Sequence, residues 1–227
     1  MDKNNKVNYN LAMEKQIALV HTGESKPTLL LHSCCAPCSS YVLRVLQKYF
    51  NITVFYYNPN LYPDKEYTLR LKEQKRLIKI YNKQAKQKNR SGENKVSDIF
   101  IETPIKIKTL KFNTKEYYNA IKGKEDSKER GERCYLCYKL RINKTAIYAS
   151  KLGYDYFATT LTVSPYKVTE WINEIGEAEG LISGVSYLFS DFKKNDGYKK
   201  SIEYSKEFGL YRQDYCGCKY SVNTLEE

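Results

Sequence analysis

The chain has 227 residues, 41% of them hydrophobic, with 38 Lys and Arg against 26 Asp and Glu. That length suits one large domain with a real core, and no apolar run approaches the ~18 residues of a membrane span. The positive surplus suits a polyanion, nucleic acid first among them, although the abundance of Lys, Asn, Ile and Tyr equally fits a gene rich in A and T.

The first six residues, Met1-Asp2-Lys3-Asn4-Asn5-Lys6, are polar, and Glu14, Lys15 and Gln16 break the first apolar stretch. No secretory signal is therefore expected, and the location implied is cytoplasmic. Residues 1–27 read as an N-terminal extension holding a helix around Leu11–Val20. Thr28-Leu29-Leu30-Leu31-His32 has the pattern of a buried strand. A helix follows over Ser39–Phe50, with Pro37 suited to its first turn. Ile52–Tyr57 is a second strand, ended by Asn58-Pro59-Asn60.

Asp64 to about Lys88 is strongly charged and reads as one long helix. The latter part of 84–97 has little to bury and is expected to be a mobile surface insertion. Ile99–Glu102 is a third strand and Thr114–Gly123 a short helix. A helix over Cys134–Lys151 ends at Gly153. Tyr154–Thr162 is a strand, Tyr166–Glu179 a helix, Ser186–Phe189 a strand and Tyr198–Phe208 a helix. Strands alternating with helices predict an α/β fold, a mostly parallel sheet covered on both faces. One domain over residues 28–221 and a short tail, 222–227, complete the expected organisation.

Seven cysteines fall in three tight groups: Cys34, Cys35 and Cys38; Cys134 and Cys137; Cys216 and Cys218. Crowded thiols without a secretory signal point to metal or electron chemistry rather than structural disulfides. In an open parallel sheet, sites form outside the carboxyl ends of the strands. Cys34 and Cys35 directly follow the first strand there, Thr159, Thr160 and Ser164 close the fourth, and Asp191, Phe192 and Lys193 close the fifth. Three chemistries compete. Cys35-Ala-Pro-Cys38 before a helix is also the mark of a thioredoxin-like dithiol. Two C-x-x-C pairs match a structural zinc site, but their separation of ~95 residues far exceeds the usual 15–20. Iron–sulfur ligation accepts dispersed thiolates and is favoured over zinc.

Of the two histidines, His32 ends a strand and reads as a packing residue. Asp191 and Asp214 are candidate proton donors or outer ligands, with solvated loop acids the bland alternative. Lys193, Lys194 and Arg212 are candidate phosphate contacts. No Walker A pattern or Gly-rich dinucleotide loop is present.

Six blocks carry a resemblance: 29–39 (Leu-Leu-Leu-His-Ser-Cys-Cys-Ala-Pro-Cys-Ser), 56–63 (Tyr-Tyr-Asn-Pro-Asn-Leu-Tyr-Pro), 131–141 (Gly-Glu-Arg-Cys-Tyr-Leu-Cys-Tyr-Lys-Leu-Arg), 157–167 (Phe-Ala-Thr-Thr-Leu-Thr-Val-Ser-Pro-Tyr-Lys), 190–198 (Ser-Asp-Phe-Lys-Lys-Asn-Asp-Gly-Tyr) and 211–218 (Tyr-Arg-Gln-Asp-Tyr-Cys-Gly-Cys). In order and over about 28–221, the chain resembles the cobalamin-independent epoxyqueuosine reductases, the QueH family. The resemblance implies an adenine-nucleotide hydrolase-like (HUP, Rossmann-like) fold. Its loop 33–39 carries cysteines where phosphate-gripping glycines would be needed, so ATP binding is not expected. It further implies reduction of epoxyqueuosine to queuosine at the tRNA wobble position, with a [4Fe-4S] cluster and a further metal ion, iron, close by.

The metal ligands are then expected among Cys34, Cys35, Cys38, Cys134, Cys137, Cys216 and Cys218, with the first three spanning both centres. tRNA contacts are expected from Lys167, Lys193, Lys194 and Arg212. The absence of any flavin or nicotinamide motif implies an external electron donor of the ferredoxin or flavodoxin kind. The chain departs from the family at Tyr166, where His is common, and at Asn113, where Asp is common. The family is not uniformly cysteine at Cys38.

Overall fold

The apolar run at Thr28–His32 forms the central strand, and its four residues from Leu29 onward are fully buried. A strand buried on both faces needs a continuous hydrophobic sequence rather than an alternating one. The computed structural model describes residues 7–20, 25–91 and 103–222. Its elements are α1 (Tyr9–Val20), β1 (Thr28–His32), α2 (Ala36–Leu46), β2 (Asn51–Tyr56), α3 (Asp64–Ser91), β3 (Lys106–Thr109), α4 (Lys115–Ala120) and α5 (Glu132–Lys151). Then come β4 (Tyr156–Thr159), a 3-10 turn (Thr160–Val163), α6 (Thr169–Ser183), β5 (Ser186–Tyr187), α7 (Gly197–Glu207) and α8 (Lys219–Val222).

All strand pairs are parallel, in the order β3-β2-β1-β4-β5. Leu29 is in register with Ile52 on one side and Tyr156 on the other. The chain therefore builds outward from β1 in one direction and returns to build in the other. The point of reversal lies between β1 and β4, where such sheets hold their ligands.

Alternation along the strands sorts the core into two layers. Leu29, Leu31, Ile52, Val54 and Ala158 pack with α1, α2 and α3, and with aromatic residues of α7. Leu30, Phe55 and Phe157 pack with α5 and α6 on the opposite face. The expected α/β architecture, helices on both faces of a parallel sheet, is the one observed.

Several local expectations shift. The third strand is Lys106–Thr109, a charged edge strand whose pattern Lys-Ile-Lys-Thr gave too weak a signal; the segment expected for it, 99–102, lies outside the described residues. The fourth strand ends at Thr159 because the Thr159 hydroxyl accepts a hydrogen bond from the Leu161 N–H at 3.2 Å and caps the 3-10 turn. α3 continues through Ser91, and Ala85 is buried against the core, so the first part of the expected insertion is helix. Residues 92–97 lie outside the described residues, as do 223–227 of the expected tail. The N-terminal extension docks by α1: Met13 enters the core, and the Gln16 amide bridges the Tyr187 carbonyl and the Phe189 N–H, each at 2.9 Å, at the β5 edge.

His32 is fully buried between the Thr159 hydroxyl (Nδ1 to Oγ1, 2.8 Å) and the Tyr57 carbonyl (Nε2 to O, 3.2 Å). Nε2 donates to that carbonyl. Burial first, then the Arg141 guanidinium, pulls its pKa from the ordinary value to about 3. The unfolded chain thus binds a proton below about 6.5 that the folded chain refuses. Stability is complete above that pH and falls with acidification, by about 1.4 kcal/mol per pH unit from this group alone. Urea melts between pH 7 and 5 should show this slope, and His32→Gln should flatten it.

Candidate metal centre

The first cysteine group sits where β1 hands over to α2. Cys35 is the residue before the helix, with extended backbone (φ −170°), and Pro37 occupies the first turn. The loop is pinned from below by a buried polar triangle: Ser33 Oγ lies 2.6 Å from Ser39 Oγ, and both bond Gln74 Oε1, at 2.7 and 3.0 Å. The Asn58 amide donates to the Ser33 carbonyl at 2.8 Å. So held, the sulfurs of Cys34, Cys35 and Cys38 all lie within 4.8 Å of one another.

Three thiols at that spacing cannot each ionise freely. Cys35 ionises first: hydrogen bonds from Cys34 and Cys38 and the nearby Arg70 charge hold its pKa well below the usual thiol range. Cys34 and Cys38 are pushed up, the first by its bond to Cys35, the second by both partners. The Thr160 hydroxyl steadies Cys34, accepting from its N–H at 3.3 Å and lying 3.5 Å from Sγ.

The other four cysteines gather from two elements. Cys134 and Cys137 are one turn apart at the start of α5, and Cys134 Sγ accepts the Arg130 N–H at 3.3 Å. Cys137 and Cys218 pack in one apolar cluster with Tyr117 and Ile121. Burial raises the Cys137 pKa. Cys216 is drawn well below the thiol range by its bond from Cys218, and then by Lys167 and Arg141 against the effect of burial; Cys218 is raised in turn. Gly217 between them has φ +93°, and a Cβ there would collide with the Arg70 guanidinium. Only glycine lets this loop cross that arginine.

Three cations converge on the thiols. Arg141 is 2% exposed; its Nε donates to the Cys137 carbonyl at 3.2 Å, and its Nη2 has no partner. It lines the same cavity as Cys34, Cys35, Cys38 and Cys216, so through the Cys137 carbonyl and this cavity it adjoins residues of all three groups. Arg70 is equally buried. Its Nε pairs with Glu66 at 2.6 Å, its Nη1 donates to the Cys216 carbonyl at 3.1 Å, and its Nη2 is unpartnered. Lys167 Nζ lies 3.0 Å from Cys216 Sγ. Cations taken out of water persist only when paired, and among the described residues Glu66 is the one carboxylate bonded to any of these three. The remaining compensation must come from thiolates and whatever anionic group they hold. An all-thiolate donor set with unspent guanidinium N–H groups fits an iron–sulfur cluster, whose potential such groups tune.

Cys34, Cys35, Cys38 and Cys216 line a cavity of about 640 Å³, together with Arg70, Arg141, Lys167, Tyr166, Tyr198, Tyr211, Arg212, Asp214 and Tyr215. Of the two candidate acids, Asp214 is exposed on this cavity. Asp191 lies outside it, bound to Lys193 at 2.7 Å. Lys193 also bonds the Thr169 hydroxyl, so it is spent on structure. Arg212 lines the cavity, its guanidinium 5.4 Å over the Tyr198 ring. Lys167 points inward at Cys216 rather than out at solvent, and Lys194 is exposed beside α1, away from the cavity.

The family model described as epoxyqueuosine reductase QueH matches residues 29–224, which include every one of these cysteines. The chain belongs to the epoxyqueuosine reductase QueH family. Curated relatives with that name include one from Streptococcus pyogenes serotype M1, 38% identical over 223 residues (98% of this chain, 81% of the relative). Another from Staphylococcus aureus strain Mu50 is 38% identical over 222 residues (97% and 86%). A third from Thermotoga maritima is 32% identical over 198 residues (86% and 90%). Residues to which the sequence reading gave no role are Arg70 and Arg141, although Arg141 closes the 131–141 block. The signal that could have found them was helical spacing: Arg141 is one turn after Cys137, and Arg70 one turn after Glu66.

Proposed function

We propose that this chain reduces the epoxide of epoxyqueuosine at the wobble position of tRNA to the alkene of queuosine. The observation that carries the reading is one buried arginine, Arg141, that bonds the Cys137 carbonyl and lines, with Cys34, Cys35, Cys38 and Cys216, a cavity large enough for a nucleoside. Family membership supports the substrate. The reaction takes up two electrons and two protons, breaks both C–O bonds of the epoxide, forms a C=C bond and releases water.

The seven cysteines are the proposed ligands of a [4Fe-4S] cluster and an adjacent iron, which when bound supply electrons singly and a Lewis acid for the epoxide oxygen. The protein's own part is to hold and neutralise that charge through Arg70, Arg141 and Lys167. Tyr166, Tyr198, Tyr211 and Tyr215 give the cavity aromatic walls on which an unstacked base can lie. Arg212 at the same wall is placed for a flanking phosphate. The electron donor is proposed to be an external ferredoxin or flavodoxin, in the cytoplasm.

Of the two candidate acids Asp214 is the one that reaches the cavity, which Glu129 also lines, and Asp214 is proposed to deliver a proton to the departing oxygen. Asp214→Asn should lower turnover by roughly 100-fold or more with iron content unchanged. Asp191→Asn should retain turnover and lower thermal stability, since it loses the Lys193 pair. Equal activity loss in both variants would remove Asp214 from this role.

Anaerobic reconstitution tests the reading as a whole. A brown protein with several irons, whose visible absorbance bleaches on reduction and which converts epoxyqueuosine in tRNA, is expected. A colourless protein holding one zinc per chain and binding RNA without turnover would contradict it.

A further inference from the structure

We propose that the outer face of α3 is the surface along which the stem of the substrate tRNA lies once its wobble base enters the cavity. This rests on the reductase reading and adds to it where the body of the RNA goes.

The charge of the chain is unevenly spread. α3 holds ten Lys and Arg against three acidic residues. Two of those acids are turned inward. Glu66 is buried on Arg70 and takes a hydrogen bond from the Tyr211 hydroxyl, while Glu73 bonds Arg76 and the Tyr211 N–H. The third, Asp64, stands in the first turn. Left on the outside are Lys65, Lys72, Lys75, Lys79, Lys83 and Lys86, all exposed and none in a salt bridge among the described residues.

Spacing makes this a ridge. Lys72, Lys75, Lys79, Lys83 and Lys86 succeed one another at three or four residues, so each is the helical neighbour of the next. A merely solvated helix face mixes Glu with Lys at that spacing, which stabilises it; like charges there repel. A helix that carries such a ladder is relieved by an anionic ligand laid along it. From Lys65 to Lys86 the ridge is about 30 Å long at 1.5 Å per residue, enough to follow a nucleic-acid strand past several phosphates.

The ridge also starts in the right place. α3 begins just beyond the carboxyl end of β2, and its first turns supply Arg70 to the cavity. It then runs back along the sheet, so a stem that leaves the cavity on the side of Arg70 meets the lysines of the ridge in succession. An acidic protein is the poorer fit. Stable protein interfaces centre on aromatic and apolar residues and are poor in Lys, and the one large hydrophobic residue of α3 exposed beside the ridge is Leu69, at 37%.

The test is fluorescence anisotropy of full-length tRNA across a salt series, with Lys72→Gln/Lys79→Gln compared to Lys139→Gln/Lys151→Gln. The second pair removes the same charge from exposed positions on α5, which packs on the other face of the sheet. All four side chains are exposed, so both variants should melt as the wild type does. The α3 variant should bind several-fold more weakly at low salt. Its slope of log affinity against log salt should be shallower by about two, one for each phosphate the variant no longer neutralises. Its KM for tRNA should rise with kcat unchanged, while the α5 variant matches the wild type. Equal behaviour of the two variants, whether unchanged or equally weakened, overturns the proposal. Intact tRNA binding with slowed reduction by an acidic donor protein also overturns it and gives the ridge to the donor. A wild-type protein that neither binds tRNA nor turns it over removes the reductase reading itself, and this surface with it.

Discussion

Cys35→Ser is expected to strip the protein of its metal and lower turnover by more than about 100-fold, the upper end of what removing a ligand's supporting partner costs. Cys35 has the most strongly favoured thiolate of the first-loop knot and is 1% exposed. Its neighbours Cys34 and Cys38 are raised because it ionises first. Serine keeps the shape but offers a hydroxyl that stays protonated, so the knot loses its anchor charge and Arg70 loses the anion it faces. Iron and sulfide assays after anaerobic reconstitution, visible absorbance and turnover should fall together. Fold is expected to persist, because the Ser33, Ser39 and Gln74 triangle that shapes the loop is untouched. A variant that keeps its iron and its colour would show the first group to be inert packing.

Arg141→Met is expected to shift the potential of the centre rather than its contents alone. The guanidinium is buried, leaves Nη2 without a hydrogen-bond partner among the described residues, and lines the cavity with Cys34, Cys35, Cys38 and Cys216. A fixed cation beside a cluster favours the reduced, more negative form. Removing it should therefore lower the midpoint potential. At an effective dielectric near 20 a close unit charge is worth roughly 2–4 kcal/mol, which corresponds to a fall on the order of 100 mV for one electron. Methionine fills the volume without charge, so packing loss is limited. A redox titration followed by electron paramagnetic resonance reads the shift. Reduction by a weak donor should slow while strong chemical reductants still drive turnover. An unchanged potential would reduce Arg141 to a helix-packing residue.

The fold was legible wherever hydrophobic pattern decided it. Leu29, Leu30 and Leu31 announce a strand buried on both faces, and the structure places it at the centre of the sheet. Lys106–Thr109 was not legible, because an edge strand with lysines in the pattern is held by its neighbour β2 rather than by its own composition. The position of the first cysteine group at the point of reversal followed from strand order, a general property of parallel sheets. How the other groups arrive did not. Cys216 is held through Arg70, Lys167 and a glycine that clears the arginine, contacts between residues far apart in sequence that no local pattern encodes. Lys167 illustrates the same limit. It was expected among the tRNA contacts, and that its Nζ lies 3.0 Å from the Cys216 sulfur is a contact no local pattern encodes.

Nucleoside analysis tests the central claim most directly. Epoxyqueuosine-containing tRNA is incubated anaerobically with the reconstituted, chemically reduced protein, then digested and resolved by mass spectrometry. Conversion to queuosine, with the loss of one oxygen per modified base and two electrons consumed per product, is the predicted result. Unchanged epoxyqueuosine in the presence of iron-loaded, reduced protein that binds the tRNA would contradict it.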